Sequence, residues 1–333
     1  MFCSVIIPTI MRPTLSRAVY SIVNQDFDAD SFEIIVVNDS GELLPKMEWQ
    51  SLECVQVITT QNRERSVARN TGAAIARGKY LYFLDDDDLM LPGALQVFWE
   101  LSQETSAAWL FGNYQVVDND GNIIDEFHPK LAGNVSAILI AGESIPLQAS
   151  FLRAVEFYKA GEFDVYFTGA QDRELGRRLS LICDVAKTSE LITQIRVGQV
   201  GSSTPWSALA EFDRVGREKA LNRPGAFYRI WDSTSGSGYL HGRVSRAYIA
   251  SAVWNLKRKN IFIASSRLVS TAAFSFPYLL SADFWQGLQS RLKPLGEVGR
   301  TKIPTRSNLI PVTLIGIILG IFILIFVPRR KKY

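Results

Sequence analysis

The sequence predicts an α/β fold, a largely parallel sheet with helices on both faces. Three observations carry this expectation. Over residues 1–105, short runs of β-branched and aromatic residues alternate with helical patterns. The strand-like runs are apolar at nearly every position, as strands covered on both sides must be. Polar residues suited to chemistry gather where those runs end.

Taken in order, "CSVIIPT" (3–9) reads as a buried strand, and "TLSRAVYSIVNQ" sets Leu15, Val19, Ile22 and Val23 at helical spacing. "FEIIVVNDS" is a second strand ending in Asn38 and Asp39, and "VQVITT" is a third. "RSVARNTGAAIARGK" is a helix of small residues for which Gly78 is the expected C-cap. "KYLYFLD" is the fourth strand, and "PGALQVFWELSQ" is a helix opened by Pro92. Near residue 107 the rhythm changes. "AAWLFGNYQVVDNDGNIIDEF" reads as a hairpin turning at Asp118 to Asn122, and "ASFLRAVEFYKAGEFD" as a strand running into a helix that stops at Gly161. "QDRELGRRLSL" is a short helix. Residues 201–238, rich in Gly, Ser and Pro, read as irregular. "GRVSRAYIASAVWNLKRKN" and "IFIASSRLVSTAAFSF" read as an antiparallel helix pair within a helical segment and basic linker, 239–306.

With 333 residues the chain can hold one large α/β domain and an appendage. A net charge of +3 implies no broad nucleic-acid surface. Three scattered cysteines without CxxC spacing and only two histidines argue against a disulfide framework or a zinc site, and fit a reducing compartment. "MFCSVIIPTIMRP" lacks a basic leader and reads as a first strand, not a signal peptide. Residues 307–328 carry no charge over 22 positions. As a helix of about 33 Å they are expected to cross a membrane once, with 329–333 as a basic tail. Arg300, Lys302 and Arg306 before the span and Arg329 to Lys332 after it leave its orientation open by charge alone.

The stretch "GKYLYFLDDDDLMLP" drives an apolar strand into four consecutive aspartates, Asp85 to Asp88. Adjacent carboxylates repel, so such a cluster either faces solvent or holds a cation. Ligands of open parallel sheets bind at the carboxyl ends of the strands. Here three ends converge in type: Pro8 and Thr9 with Arg12 after the first strand, Asp39 after the second, and the aspartates after the fourth. No GxGxxG or GxxxxGK[ST] is present, so a bound diphosphate would need another counter-charge, which a divalent cation on aspartates supplies. Arg65 and Arg69 share a helix face just before the acidic strand and suit phosphate recognition.

Four blocks, "SVIIPTIMRPTLSRAVYSIVNQ", "EIIVVNDSG", "RSVARNTGAAIARGKYLYFLDDDDLMLPGAL" and "AGEFDVYFTGAQDRELGRRL", together resemble the family 2 glycosyltransferases over about residues 3–200. The resemblance implies a GT-A-type, Rossmann-like mixed sheet flanked by helices. It implies a catalytic domain 1–200, with a nucleotide-sugar half to about 105 and an acceptor half from 106. It further implies a nucleoside-diphosphate-sugar donor, UDP-type favoured, an inverting transfer to a glycan or lipid-linked acceptor, and Mn²⁺ or Mg²⁺. Carried over, Pro8, Thr9 and Arg12 would line the nucleotide pocket and Asp39 would bind the base. Arg65 or Arg69 would face the nucleotide, Asp87 would hold the metal, Asp86 would meet the ribose or sugar, and Asp85 would support them. Asp172 would be the catalytic base, although its pair reads Gln171-Asp172 where the family has two acids. The family's closing-loop histidine is absent, with Gly198 near its place, which weakens such a role for Arg196, Ser202 and Ser203. The QxxRW motif of processive synthases is missing. The expected setting is a single-pass membrane protein with its catalytic domain in the cytoplasm, against membrane lipid and with no nucleic-acid partner. Two other functions use part of the same pattern: a metal-dependent sugar nucleotidyltransferase, which would not need Asp172, and an inactive tethered sugar-nucleotide binding module.

Overall fold

A computed structural model describes residues 1–61, 64–197 and 206–290. The chain divides into two compact units, Met1–Ser233 and one that begins at Thr234.

In the first unit the strands are β1 (Cys3–Thr9), β2 (Phe32–Asn38), β3 (Val55–Thr59), β4 (Tyr80–Phe83), β5 (Leu89–Met90), β6 (Trp109–Val117), β7 (Ile123–Phe127), β8 (Ser150–Arg153) and β9 (Val185–Arg196). Its helices are α1 (Leu15–Val23), α2 (Arg65–Ile75), α3 (Ala94–Glu104), α4 (Ser136–Ile140), α5 (Ala154–Ala160), α6 (Gln171–Ser180), α7 (Trp206–Leu221) and α8 (Ala226–Ser233). They surround one mixed sheet of order β3-β2-β1-β4-β8-β6-β9-β5, with β7 paired to β6. β1 lies parallel to both β2 and β4, while β8 is antiparallel to β4 and to β6. Successive connections thus lead away from β1 on one side and return to β4 on the other, and this reversal opens a crevice at the carboxyl ends of β1 and β4.

Every residue of β1 and β2 is buried. Their side chains alternate between two cores. Ile6, Ile35 and Val37 pack with Ala68 and Ala73 of α2. Val5, Ile7, Ile34 and Val36 pack with Leu15, Val19 and Ile22 of α1 and Leu95 and Phe98 of α3. Burial on both faces explains why the strand runs are apolar throughout.

Two expectations need correction. Residues 206–233, read as irregular, form α7 and α8, and the first unit continues to Ser233 rather than closing near residue 200. The Gly, Ser and Pro clusters that suggested an irregular segment flank these helices in sequence. Gly216, inside α7, lies where a Cβ would meet the Glu174 side chain at 3.1 Å. Gly78 is also not a helix cap, because α2 ends at Ile75 with Ala76 as its C-cap. A Cβ at Gly78 would lie 2.3 Å from the Ser4 backbone nitrogen and 2.4 Å from the Cys3 carbonyl carbon. The Gly78 N–H donates to Ser4 Oγ, whose own hydroxyl donates to buried Glu33. The strand therefore demands close backbone approach, not a left-handed turn.

The second unit contains α9 (Gly238–Lys257), α10 (Ile261–Ser275) and α11 (Ala282–Gln289). Ser237 caps α9 by accepting from the Leu240 N–H. The antiparallel pair expected for 242–276 corresponds to α9 and α10. Among the described residues no helix is long and apolar enough to cross a membrane, and the expected span at 307–328 lies outside them.

Gly78→Ala is expected to lower stability by about 1–3 kcal/mol. It should appear as a reduced urea midpoint at unchanged m-value. Gly78→Asn, which a C-cap position would tolerate, should do no better.

Candidate active site

The four aspartates leave β4 in a tight turn closed by the Asp88 N–H donating to the Asp85 carbonyl at 3.1 Å. The turn sends the carboxylates in different directions. Asp86 faces β1: it accepts from Thr9 Oγ1 at 2.6 Å and from Arg12 Nη1 at 2.6 Å. Asp85 faces α2, accepting from Arg69 Nη2 at 2.6 Å and from Gln148 Nε2 at 3.0 Å. Asp88 accepts from the Arg196 N–H at 2.7 Å. Asp87 is half-exposed, with its carboxylate 3.4 Å from Arg12 Nη1.

Carboxylate oxygens of Asp85, Asp87 and Asp88 lie within 4.8 Å of one another. The metal set suggested by this geometry therefore includes Asp88, which sequence reasoning left out, while Asp86 is turned toward Thr9 and Arg12. Charge supports the same grouping. Burial raises the Asp85 carboxyl, but Arg69 and then Arg65 outweigh it and hold the group below its ordinary range. Burial raises Asp87; Arg12 pulls it down while Asp85 and Asp86 push it up, and the net shift is upward. Asp88 is pushed well above the carboxylate range by burial and by Asp85, which the bond from the Arg196 N–H only partly offsets. Hard divalent cations take oxygen ligands, and a bound cation would relieve this repulsion. The donor set fits Mg²⁺ or Mn²⁺.

Arg69 lies 2% exposed on the inner face of α2 and also donates from Nη1 to Asp172 Oδ1 at 3.2 Å. One guanidinium thus spans the acidic turn and the expected base. Of the two arginines expected to face a nucleotide, Arg65 or Arg69, Arg69 has its fork filled by two carboxylates. Arg65, at the start of α2, is exposed. Asp172 sits in the first turn of α6 and is 38% exposed, so an acceptor can reach it.

Gln171 donates from Nε2 to Glu64 Oε1 at 3.1 Å. A glutamate at 171 would set two carboxylates against each other, so the unusual Gln171-Asp172 pair is explained by Glu64. Glu64 also caps α2 by accepting from the Ser66 N–H, and its own N–H donates to Asp39 Oδ2 at 2.9 Å. Asp39 accepts from Thr60 Oγ1 at 2.6 Å as well, which fixes its carboxylate at the end of β2. Pro8 pairs with Val37, two residues past the last β1–β4 pair, Ile6 with Phe83, so its missing N–H falls where that ladder has stopped. Thr9 serves the acidic turn through its hydroxyl, and Arg12 reaches both Asp86 and Asp87.

Sequence reading placed Asp88 in the acidic cluster without assigning it to the metal, and it missed Gln148 and Glu64. Of the two missed residues only Glu64 had a local signal, an acid just before a helix and two residues ahead of Ser66. Arg196, doubted as a closing residue, anchors the turn from β9. Its N–H holds Asp88, its Nε donates to the Asp87 carbonyl at 3.3 Å, and its Nη1 donates to the Asp118 carbonyl at 2.9 Å. Ser202 and Ser203 lie outside the described residues.

Because Asp88 is raised above its unfolded value, its ionisation opposes folding, and this cost appears as pH rises through its folded pKa. Asp88→Asn should therefore raise the melting temperature near neutral pH without added metal, while lowering the response to Mn²⁺. In the parent chain, Mn²⁺ at a hundredfold excess over Kd should add about 2.7 kcal/mol by linkage, read by thermal unfolding.

Known proteins are similar to this chain in sequence and in fold. Poly(ribitol-phosphate) β-N-acetylglucosaminyltransferase TarP of Staphylococcus aureus is 30% identical over 156 residues, 45% of this chain and 47% of that protein. GalNAc(5)-diNAcBac-PP-undecaprenol β-1,3-glucosyltransferase of Campylobacter jejuni is 36% identical over 134 residues, 38% of this chain and 42% of that protein. The chain thus spans less than half the length of these two curated relatives. The crystal structure of S. aureus TarS 1–349 in complex with UDP-GlcNAc superposes with a TM-score of 0.58 over 82% of this chain and 91% of that one, at 16% identity, and so shares the GT-A-type fold. The stretch that supplies Thr9, Arg12, Asp39, Arg69 and the acidic turn, residues 4–141, matches the family described as Glycosyl transferase family 2.

Proposed function

We propose that this chain is an inverting glycosyltransferase that moves a sugar from a nucleoside-diphosphate donor, UDP-type, to a hydroxyl of a glycan or lipid-linked acceptor. The observation that carries this reading is the Arg69 bridge. It joins Asp85 of the acidic turn at 2.6 Å to Asp172 at 3.2 Å. A nucleotidyltransferase would have use for the acidic turn alone, whereas transfer to a hydroxyl also needs a base beside it.

In the proposed reaction the acceptor oxygen attacks the anomeric carbon while Asp172 takes its proton. The bond from that carbon to the diphosphate oxygen breaks from the opposite face, so the configuration inverts. A divalent cation held by Asp85, Asp87 and Asp88 would neutralise charge on the departing diphosphate. Asp39 at the end of β2 is the proposed base-recognition group, and exposed Arg65 is the proposed anion contact. Arg69 acts on Asp172 as a positioning residue. The UDP-GlcNAc complex of TarS and the acceptors named for the two relatives support a UDP-type donor and a polymeric or lipid-linked acceptor. We place residues 307–328 across a membrane, with the catalytic unit on its cytoplasmic side, where sugar nucleotides are made.

Asp172→Asn should lower release of nucleoside diphosphate from UDP-sugars with Mn²⁺ by about 10²–10⁴-fold while leaving donor affinity near that of the parent. Pyrophosphate formed from a nucleoside triphosphate and a sugar phosphate would instead establish a nucleotidyltransferase, and donor binding without turnover would establish a binding module. Arg69→Lys keeps the charge but cannot bridge both carboxylates. It should reduce kcat on the order of 10²-fold with a smaller change in KM.

A further inference from the structure

The second unit presents a surface that the transfer reaction does not use. Across residues 234–290 there are six Lys or Arg residues and a single acid, Asp283. Three of the six are consecutive, Lys257 at the end of α9 and Arg258 and Lys259 in the turn to α10, and all three are exposed. Large apolar side chains flank them. Leu256 precedes them at 50% exposure, and Ile261 and Phe262 follow at 68% and 88%. The turn is fixed rather than loose. Lys259 adopts φ of 60°, and the Arg258 and Lys259 N–H groups donate to the Asn255 and Leu256 carbonyls, each at 3.0 Å. Arg258 stacks over the Trp254 ring at 3.7 Å, which keeps a cation and an indole together at the same edge.

Exposed Phe and Ile beside exposed cations are costly to leave in water. Nucleic acid would answer the charge but not the apolar residues, and a buried protein core would answer the apolar residues but not the charge. An anionic bilayer surface answers both, since headgroups attract cations while the interface takes up aromatic and aliphatic side chains. Chain length agrees, because seventeen residues separate Gln289, at the end of α11, from Ser307, where the uncharged stretch begins.

We infer that the α9–α10 turn is a membrane-docking edge: Lys257, Arg258 and Lys259 rest on anionic phospholipid headgroups, and Ile261 and Phe262 enter the interface. This contact is separate from any span at 307–328 and does not depend on the proposed transfer reaction.

The test is the full chain carrying Cys54→Ser and Ile261→Cys, with a nitroxide on residue 261. Cys3 and Cys183, the other thiols, are buried. The chain is bound to vesicles of phosphatidylcholine alone or mixed with phosphatidylglycerol. On the mixed vesicles the ratio of oxygen to nickel-chelate accessibility at residue 261 should exceed, several-fold, that of a label at Leu43, a control position that is 87% exposed. It should fall toward the Leu43 value on phosphatidylcholine alone and in K257Q/K259Q. A water-exposed label on anionic vesicles overturns the inference. So does a label shielded from both reagents in a manner that depends on protein concentration, which means a second copy covers the turn. Nucleoside diphosphate release on the same samples separates the two proposals. An inactive chain with a lipid-immersed label leaves docking standing, and an active chain with a wet label removes docking alone.

Discussion

Four carboxylates on consecutive residues set the terms for the catalytic unit. At 4 Å two such charges repel by about 4 kcal/mol in a partly buried setting. The turn after β4 separates them and gives three of them distinct donors: Thr9 and Arg12 for Asp86, Arg69 and Gln148 for Asp85, and the Arg196 N–H for Asp88. Asp87 lies at the longer distance of 3.4 Å from Arg12. Two guanidiniums shared among four acids leave excess negative charge on one side of the turn, where Asp85, Asp87 and Asp88 converge. That imbalance is what the proposed cation would neutralise, and the surrounding hydrogen bonds hold the turn in place.

The fold supplies those donors from distant elements by one device. Reversal of the strand connections between β1 and β4 leaves a crevice, and α2 runs along the sheet beneath it, packed through Ala68 and Ala73. From the same helix and its cap, Glu64 fixes Asp39 and Gln171 while Arg69 fixes Asp85 and Asp172. The groups proposed to serve donor and acceptor are therefore tied to one element. A small tilt of α2 would disturb Asp39, the acidic turn and Asp172 together.

Much of this was legible from the residues. Strands apolar on both faces end in Thr9, Asp39 and Asp85, and parallel pairing brings those ends to one edge. Asp172 was legible only through resemblance to a family, since nothing in its local pattern distinguishes it from an ordinary residue of a first helical turn. The partners were not legible. Gln148 lies 63 residues from Asp85, and Arg196 lies 108 from Asp88. They arrive on or beside strands β8 and β9, whose antiparallel and mixed pairing has no local signature. Which aspartate faces the cation was equally hidden, because a tight turn, not alternation, decides where each carboxylate points. Residues 206–233 misled for a different reason: the breakers that flank α7 and α8 were read as the character of the whole segment.

The account stands on the claim that the acidic turn binds a cation against the donor's diphosphate. The most direct measurement is anomalous scattering from crystals grown with Mn²⁺ and a UDP-sugar. The account predicts a single manganese peak in contact with carboxylate oxygens of Asp85, Asp87 and Asp88 and with the diphosphate. A bound donor whose diphosphate lies against protein cations, with no manganese at the turn and those carboxylates facing solvent, would contradict it.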